Sequence, residues 1–245
     1  VQKIELLASW IKESKRIVFF GGAGTSTESG IPDFRSAAGI YRTRQQFPYA
    51  PEEMLSRSFF DHRPEIFYEF YRSKMIYPNA RPNPVHLLLA RLEREGKLKA
   101  VITQNIDGLH QMAGSGHVLE LHGSIHRNYC TKCHRYYSLD HILHSKETIP
   151  TCEQCGAIIK PDVVLYGENL DEDILGQTIE VISAADLFIV GGTSLTVQPA
   201  AHLITYFRDE RMAILNTSPT PYDQRASLLI TEPMGQVMAE VDKLV

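Results

Sequence analysis

A chain of 245 residues can bury one large core, or one core with a smaller module attached, but hardly two independent large domains. Its hydrophobic share of 43% and charged share of 22% are those of an ordinary globular protein and point away from a disordered or membrane-embedded chain. A formal net charge of -4 with a pI near 6.2 leaves no overall basic field, which argues against direct nucleic-acid binding as the main activity.

The opening segment, VQKIELLASWIKESKR, lacks a basic flank followed by an apolar run, and no stretch approaches ~18 apolar residues, so neither a secretion signal nor a membrane span is expected. A cytoplasmic protein is the simplest expectation. The clustering of the four cysteines between 130 and 155 fits such a reducing setting. Apolar positions at helical spacing predict a helix over 2–15, then a strand at Arg16–Phe20 that ends in Gly21 and Gly22. No clean period covers Ile31 to Ser58, so a loop is expected there, followed by a helix over 64–75 that starts at Pro64. A further helix stops at Gly96 and a strand covers Lys99–Thr103. Beyond the cysteines, 162–167 reads as a short extended stretch, DEDILGQTIEVISAA as a helix, and 186–192 and 212–216 as buried strands. Strands apolar on both faces and separated by helices predict an α/β fold. It is a Rossmann-like parallel sheet with helices on both faces, its ligands at the strands' C-terminal ends.

Four groups of residues carry candidate chemistry. The first, GGAGTSTESG at 21–30, follows a strand and could bring backbone N–H groups to a phosphate at a helix start, or could be an ordinary strand-to-helix turn. It departs from the dinucleotide fingerprint at Thr27, and no ribose-binding acid follows near Arg42. Asp33 comes too early for that role, so a dinucleotide held here must be wrapped differently by the IPDFR segment. The second is the pair of CxxC motifs, Cys130–Cys133 and Cys152–Cys155, with the spacing of a four-cysteine zinc ribbon. Four thiolates close the tetrahedron and leave no place for water, so such a zinc is structural; reversible disulfides are the alternative. In the third, Gln104, Asn105 and Asp107 follow a strand, placed either to hydrogen-bond a ribose or amide or to cap a helix. The fourth is His122, which precedes Gly123 and reads alone as a turn residue or a base.

GAGTSTESGIPDFR, TQNIDGLH, LHG, the two CxxC pairs, PDVVLYGE and GTSL occur in this order in one chain. Together they closely resemble the sirtuin family, over nearly the whole chain and in a compact, bacterial-type form. The resemblance implies an NAD-dependent protein lysine deacylase, foremost a deacetylase, that releases nicotinamide and O-acyl-ADP-ribose. Protein ADP-ribosyl transfer and desuccinylation are the alternatives on the same site, and a zinc-ribbon module that binds nucleic acid is an alternative of another class. An acyl-lysine protein or peptide is the implied partner, NAD the co-substrate and zinc the structural metal. By resemblance, residues 1–35, 80–125 and 161–245 form the NAD-binding domain, 36–79 a cofactor loop and helical insert, and 126–160 the zinc ribbon.

The family's motifs carry over onto matching positions. Gly22, Ala23 and Gly24 would hold the pyrophosphate, and Asp33, Phe34 and Arg35 would belong to the loop over the nicotinamide ribose. Asn105 and Asp107 resemble the pair that receives the nicotinamide carboxamide, with Gln104 at the ribose and His122 as catalytic base. Gly192, Thr193, Ser194 and Asn216 would hold the adenosine half. Val163, Val164, Tyr166, Gly167 and Glu168 would pair with the substrate backbone as an added strand. Cys130, Cys133, Cys152 and Cys155 would ligate the zinc. Family members that remove succinyl groups use a Tyr and an Arg three residues apart on a helix. The equivalents here would be Tyr71 and Lys74, which either face the acyl pocket or leave Tyr71 in the core and Lys74 solvated.

Overall fold

The runs that are apolar on both faces become inner strands of one sheet, because only cover on both sides removes such residues from water. The computed structural model describes residues 2–33 and 47–245. Its strands are β1 (Ile17–Gly21), β2 (Leu98–Thr103), β3 (Val118–Glu120), β4 (Gly123–Cys130), β5 (Tyr136–Ser138), β6 (Ile159–Val163), β7 (Leu187–Gly191), β8 (Met212–Leu215) and β9 (Leu228–Ile230). The helices are α1 (Gln2–Glu13), α2 (Pro51–Met54), α3 (Arg57–His62), α4 (Pro64–Lys74), α5 (Pro84–Arg94), α6 (Leu109–Ala113), α7 (Leu139–His144), α8 (Glu172–Ala184) and α9 (Met234–Leu244). No helix among the described residues is long and apolar enough to cross a membrane.

Six strands pair in parallel in the order β3-β2-β1-β7-β8-β9. One face is covered by α1, α5 and α9, whose Leu7, Ile11, Leu88, Leu92, Val237 and Val241 are buried in a common cluster. The other face is covered by α8 and a 3-10 segment at Ala200–Tyr206, which bury Ile182, Leu203 and Ile204. This is the expected Rossmann-like sheet with helices on both faces. Side chains cap the helix starts: Asn83 accepts from the Val85 N–H at 2.9 Å ahead of α5, and Asp171 from the Ile174 N–H at 2.9 Å ahead of α8. Several elements went unread in the sequence, among them α2 inside the expected loop over 31–58, and α3, α6, α7, β4 and β5. β3 and β9 are three residues long and too short to show a period, whereas α9 buries Val237, Met238 and Val241 at helical spacing and was legible.

A second, antiparallel sheet in the order β5-β4-β6 carries the cysteines. Its core is shared with the helical insert: Phe60, Phe67, Tyr68 and Tyr71 pack with Cys130, Tyr137, Ile142, Ile159 and Leu165. The Tyr68 hydroxyl donates to the Ile159 carbonyl. Insert and ribbon, far apart in sequence, therefore pack as one unit, and that unit runs on through Val163 because β6 pairs with β4 and not with the large sheet.

Candidate functional site

The strand order reverses between β1 and β7, and in an open α/β sheet the crevice beyond such a reversal is where ligands sit. Gly22–Gly24 leaves β1 and Gly192–Ser194 leaves β7 at this point. The two turns touch each other. The Gly24 N–H donates to the Gly192 carbonyl at 2.8 Å, and a Cβ on Gly24 would lie 2.6 Å from the Gly192 Cα. Glycine is thus demanded by turn-to-turn contact as well as by any phosphate. Because the Gly22 N–H also serves the Gly191 carbonyl, the Ala23 amide alone of the three has no partner among the described residues. The motif's expected helix start is not formed. Two 3-10 turns follow instead, Ala23–Thr25 and Thr27–Ser29, drawn in by the Asn83 side chain, which donates to the Thr25 carbonyl at 2.8 Å and to Ser29 Oγ at 3.0 Å.

The polar residues after β2 converge on the same crevice. Gln104 ties the ends of β1 and β7 together, its N–H donating to the Gly21 carbonyl at 2.9 Å and its Nε2 to Thr193 Oγ1 at 3.0 Å. Asn105 Nδ2 donates to Ser26 Oγ at 3.1 Å, and Ser26 Oγ donates to Asp107 Oδ2 at 2.6 Å. Asp107 Oδ1 accepts from the Leu109 N–H at 2.9 Å, so the helix-cap reading holds alongside any binding role. Burial pushes the Asp107 carboxyl above its ordinary pKa, with the Ser26 and Leu109 donors pulling the other way. His122 Nδ1 lies 3.0 Å from the Gln104 carbonyl. A carbonyl can only accept, so Nδ1 carries the hydrogen and Nε2 presents the basic lone pair. Burial also lowers the His122 pKa below 6.5, against the Gln104 bond, and the ring is neutral at pH 7.

The remaining expected contacts surround this cluster. Asp33 is half-buried at the edge of the described chain, while Phe34 and Arg35 lie outside the described residues. Ser194 Oγ pairs with Thr196 Oγ1 at 2.8 Å, and Asn216 Nδ2 donates to the Ser218 carbonyl at 2.7 Å past the end of β8. Val163 ends β6, and the Val164 N–H donates to the His122 carbonyl at 3.0 Å, which ties the expected substrate strand to the histidine's backbone. Tyr166 already uses its own backbone: its N–H donates to the Leu55 carbonyl and its carbonyl accepts from the Arg57 N–H, both at 2.9 Å. The Val164 carbonyl and the Gly167 backbone have no partner among the described residues and are the groups open to an incoming strand. Glu168 braces the segment from within. Its carboxylate takes the Leu165 N–H at 2.8 Å, Arg57 Nη1 at 3.1 Å and Lys160 Nζ at 3.1 Å. Burial alone would raise its pKa, but these donors outweigh burial and hold it below the ordinary range.

The four cysteine sulfurs all lie within 4.8 Å of one another, with Cys130 and Cys152 buried, Cys155 half-buried and Cys133 exposed. Zinc–sulfur bonds of about 2.3 Å place the corners of a thiolate tetrahedron about 3.8 Å apart, so the donor set and its spacing fit a closed, structural zinc. The outer shell is also in place. Tyr137, whose hydroxyl accepts from the Glu153 N–H at 3.1 Å, donates to Cys152 Sγ at 3.2 Å, and the Cys133 N–H points to Cys130 Sγ at 3.4 Å.

A sequence profile described as the Sir2 family matches residues 22–199, the span that holds the glycine turn, the Gln104–Asp107 run, His122 and all four cysteines. The chain belongs to the Sir2 family. This sirtuin is 54% identical over 241 residues to an NAD-dependent protein deacetylase of Clostridium acetobutylicum, with 98% of each chain covered. A solved Sir2 variant with a deacetylated p53 peptide and 3'-O-acetyl-ADP-ribose superposes with a TM-score of 0.90 at 38% identity, covering 98% of this chain and 97% of that one. A second solved structure, Sir2 with a p53 peptide and NAD+, gives 0.86 at 38% identity over the same shares.

Beneath its crevice the sirtuin buries two further histidines that sequence reading passed over. His86 on α5 and His110 on α6 lie with ring centroids 4.7 Å apart, 0% and 1% exposed, and neither ring nitrogen of His110 has a partner among the described residues. Burial lowers their pKa values to about 4 for His86 and about 3 for His110. Both are neutral when folded, whereas an unfolded histidine titrates near ~6.5. Their contribution to stability is therefore complete above that value and is lost as pH falls from 6.5 toward the folded values. At pH 5 the loss amounts to about 2 kcal/mol for each histidine. Asp107, with its raised pKa, works in the opposite sense. The expected outcome is a fall in urea midpoint from pH 8 to pH 5 that His110→Phe roughly halves; equal slopes in the two proteins would show that this pair does not set acid stability.

Proposed function

We infer that this sirtuin is an NAD-dependent protein deacetylase, and that the crevice between β1 and β7 is where it takes NAD. The observation that carries the assignment of the base is His122, with Nδ1 fixed on the Gln104 carbonyl and a basic Nε2 that has no partner among the described residues, hung from the same residue that joins the ends of β1 and β7. When bound, NAD supplies the ribose carbon that accepts the acyl oxygen as nicotinamide leaves. The chain's residues do the rest. Asn105 and Asp107 receive the carboxamide, Asp107 being held in place from the Ser26 hydroxyl and the Leu109 amide. Burial raises the Asp107 carboxyl above its ordinary pKa, and the low-dielectric setting that does so strengthens its hydrogen bond to an amide. His122 Nε2 takes a ribose hydroxyl proton so that this oxygen bonds the acyl carbon; the bond from that carbon to the lysine nitrogen breaks and one water molecule adds, giving free lysine and O-acetyl-ADP-ribose. The substrate backbone pairs at the Val164 carbonyl and Gly167, one residue on either side of the region braced by Glu168. Nicotinamide release from NAD that requires an acetyl-lysine peptide tests the function. Release without a peptide, or modification of the protein by ADP-ribose in place of deacetylation, would favour transferase activity.

The acyl group follows from α4. Tyr71 is fully buried and stacked on Phe67 at 5.5 Å and 11°, and Lys74 is half-exposed one turn on, which supports the reading of Tyr71 in the core and Lys74 in solvent. Arg72, the arginine of this helix, is engaged by the carbonyls of Thr148 and Glu147. No guanidinium fork from α4 is thereby free to grip a succinyl carboxylate. With one peptide in its two acylated forms, kcat/KM for acetyl should exceed that for succinyl by at least about tenfold, about 1.4 kcal/mol. Lys74→Arg should leave the ratio unchanged. A reversed preference, or a specific gain of desuccinylation in Lys74→Arg, would place Lys74 in the acyl pocket after all.

A further inference from the structure

β4 does not pair continuously with β6. Ser124 stands opposite Asp162 and Asn128 opposite Pro161, so Ile125, His126 and Arg127 have no partner in β6 and bulge from that ladder, although Arg127 still pairs with Ser138 of β5. Extra residues in one strand re-aim their groups, and all three here reach parts of the site. The Ile125 N–H donates to the Ile106 carbonyl at 3.0 Å. Arg127 bonds Glu120 at 2.6 Å and Asp162 at 2.7 Å, a cross-brace between β3, just before His122, and β6, which leads to the substrate segment. His126 Nε2 lies 3.2 Å from the Asp107 carbonyl, and since a carbonyl only accepts, that nitrogen carries the hydrogen. The ring sits against Gly108, which has φ +72 and where a Cβ would fall 2.7 Å from the imidazole. A side chain at 108 would displace the donor.

We propose that His126 is a positioning residue for nicotinamide recognition: its Nε2–H holds the backbone of Asp107 while Ser26 and Leu109 hold the carboxylate. The proposal rests on the reading of Asp107 as a carboxamide partner. With both backbone and side chain fixed, the carboxylate is presented in one orientation, and rigidity at a binding group lowers the ordering cost of its ligand. The side chain of His126 is exposed, so its replacement leaves the core untouched.

The test uses the full chain in three forms, with the inhibition constant of nicotinamide and the KM values of NAD and acetyl-peptide as readouts. His126→Ala removes both packing and donor, His126→Phe keeps a ring on Gly108 without the donor, and His126→Gln keeps an N–H at similar reach. Losing one neutral hydrogen bond corresponds to about three- to tenfold. Ala and Phe should weaken nicotinamide inhibition and raise the KM of NAD by that factor, with the KM of the peptide unchanged, and Gln should restore most of both. Wild-type behaviour of His126→Phe overturns the proposal, as does a loss in which Gln is no better than Ala or the peptide KM moves equally. A wild-type protein that releases no nicotinamide in the presence of acetyl-peptide would instead remove the reading of the whole site.

Discussion

Replacing His122 by Ala should lower the deacetylation rate by at least ~100-fold, the lower end of what a general base contributes, while NAD still binds. The reason is geometric before it is electrostatic. Nδ1 is fixed on the Gln104 carbonyl, so the tautomer is set and only Nε2 can accept a proton. Burial lowers the pKa below 6.5, and the base is therefore already free at neutral pH. The sign of the pH effect follows: the wild-type rate should hold as pH falls to about 6.5 and decline only below it, as the ring protonates. His122→Ala should lose that acid limb along with its rate. Its NAD affinity, measured by calorimetry, should stay within a few fold, because the Gln104, Asn105 and Asp107 contacts do not pass through the imidazole. Near-normal turnover in the variant would remove His122 from the mechanism. A collapse of NAD affinity would instead make the ring a binding element.

Removing the metal should abolish activity altogether. One zinc per chain is expected on Cys130, Cys133, Cys152 and Cys155, and structural zinc of this kind binds with ~10–16 kcal/mol, as much as or more than the ~5–15 kcal/mol that holds a whole domain folded. The effect will not stay at the ribbon. Cys130 and Cys152 are buried in the core that also holds Phe67, Tyr68 and Tyr71 of α4 and Val163 and Leu165 of the substrate segment. Collapse of that core frees the segment that pairs with the His122 carbonyl. Cys130→Ser, or prolonged chelation, should lower the metal content measured by mass spectrometry, expose the small unit to proteolysis and eliminate deacetylation. Full activity in verified zinc-free protein would show that the cysteines serve something other than the fold.

Much of the architecture was legible from the residues alone. Apolar runs marked the inner strands, Pro64 and Gly96 marked a helix start and a helix stop, and the paired cysteines marked the metal, because each of these signals is local and carries its own physics. Together with the resemblance, the polar residues at the ends of β2 and β7 marked the crevice. What the sequence left open were questions about neighbours distant along the chain. That Asp107 caps a helix through the Leu109 N–H while its other carboxylate oxygen takes the Ser26 hydroxyl depended on a residue 81 positions away. Tyr71 and Lys74 share a helical spacing that fits a pocket equally well, and only the stacking of Tyr71 on Phe67 put its ring in the core. Glycines that read as phosphate contacts are needed as well for the approach of Gly24 to Gly192, residues brought together by strand order alone. His126 had no motif at all, since a bulge arises from a mismatch in length between paired strands, and one strand's residues cannot report the register of its partner.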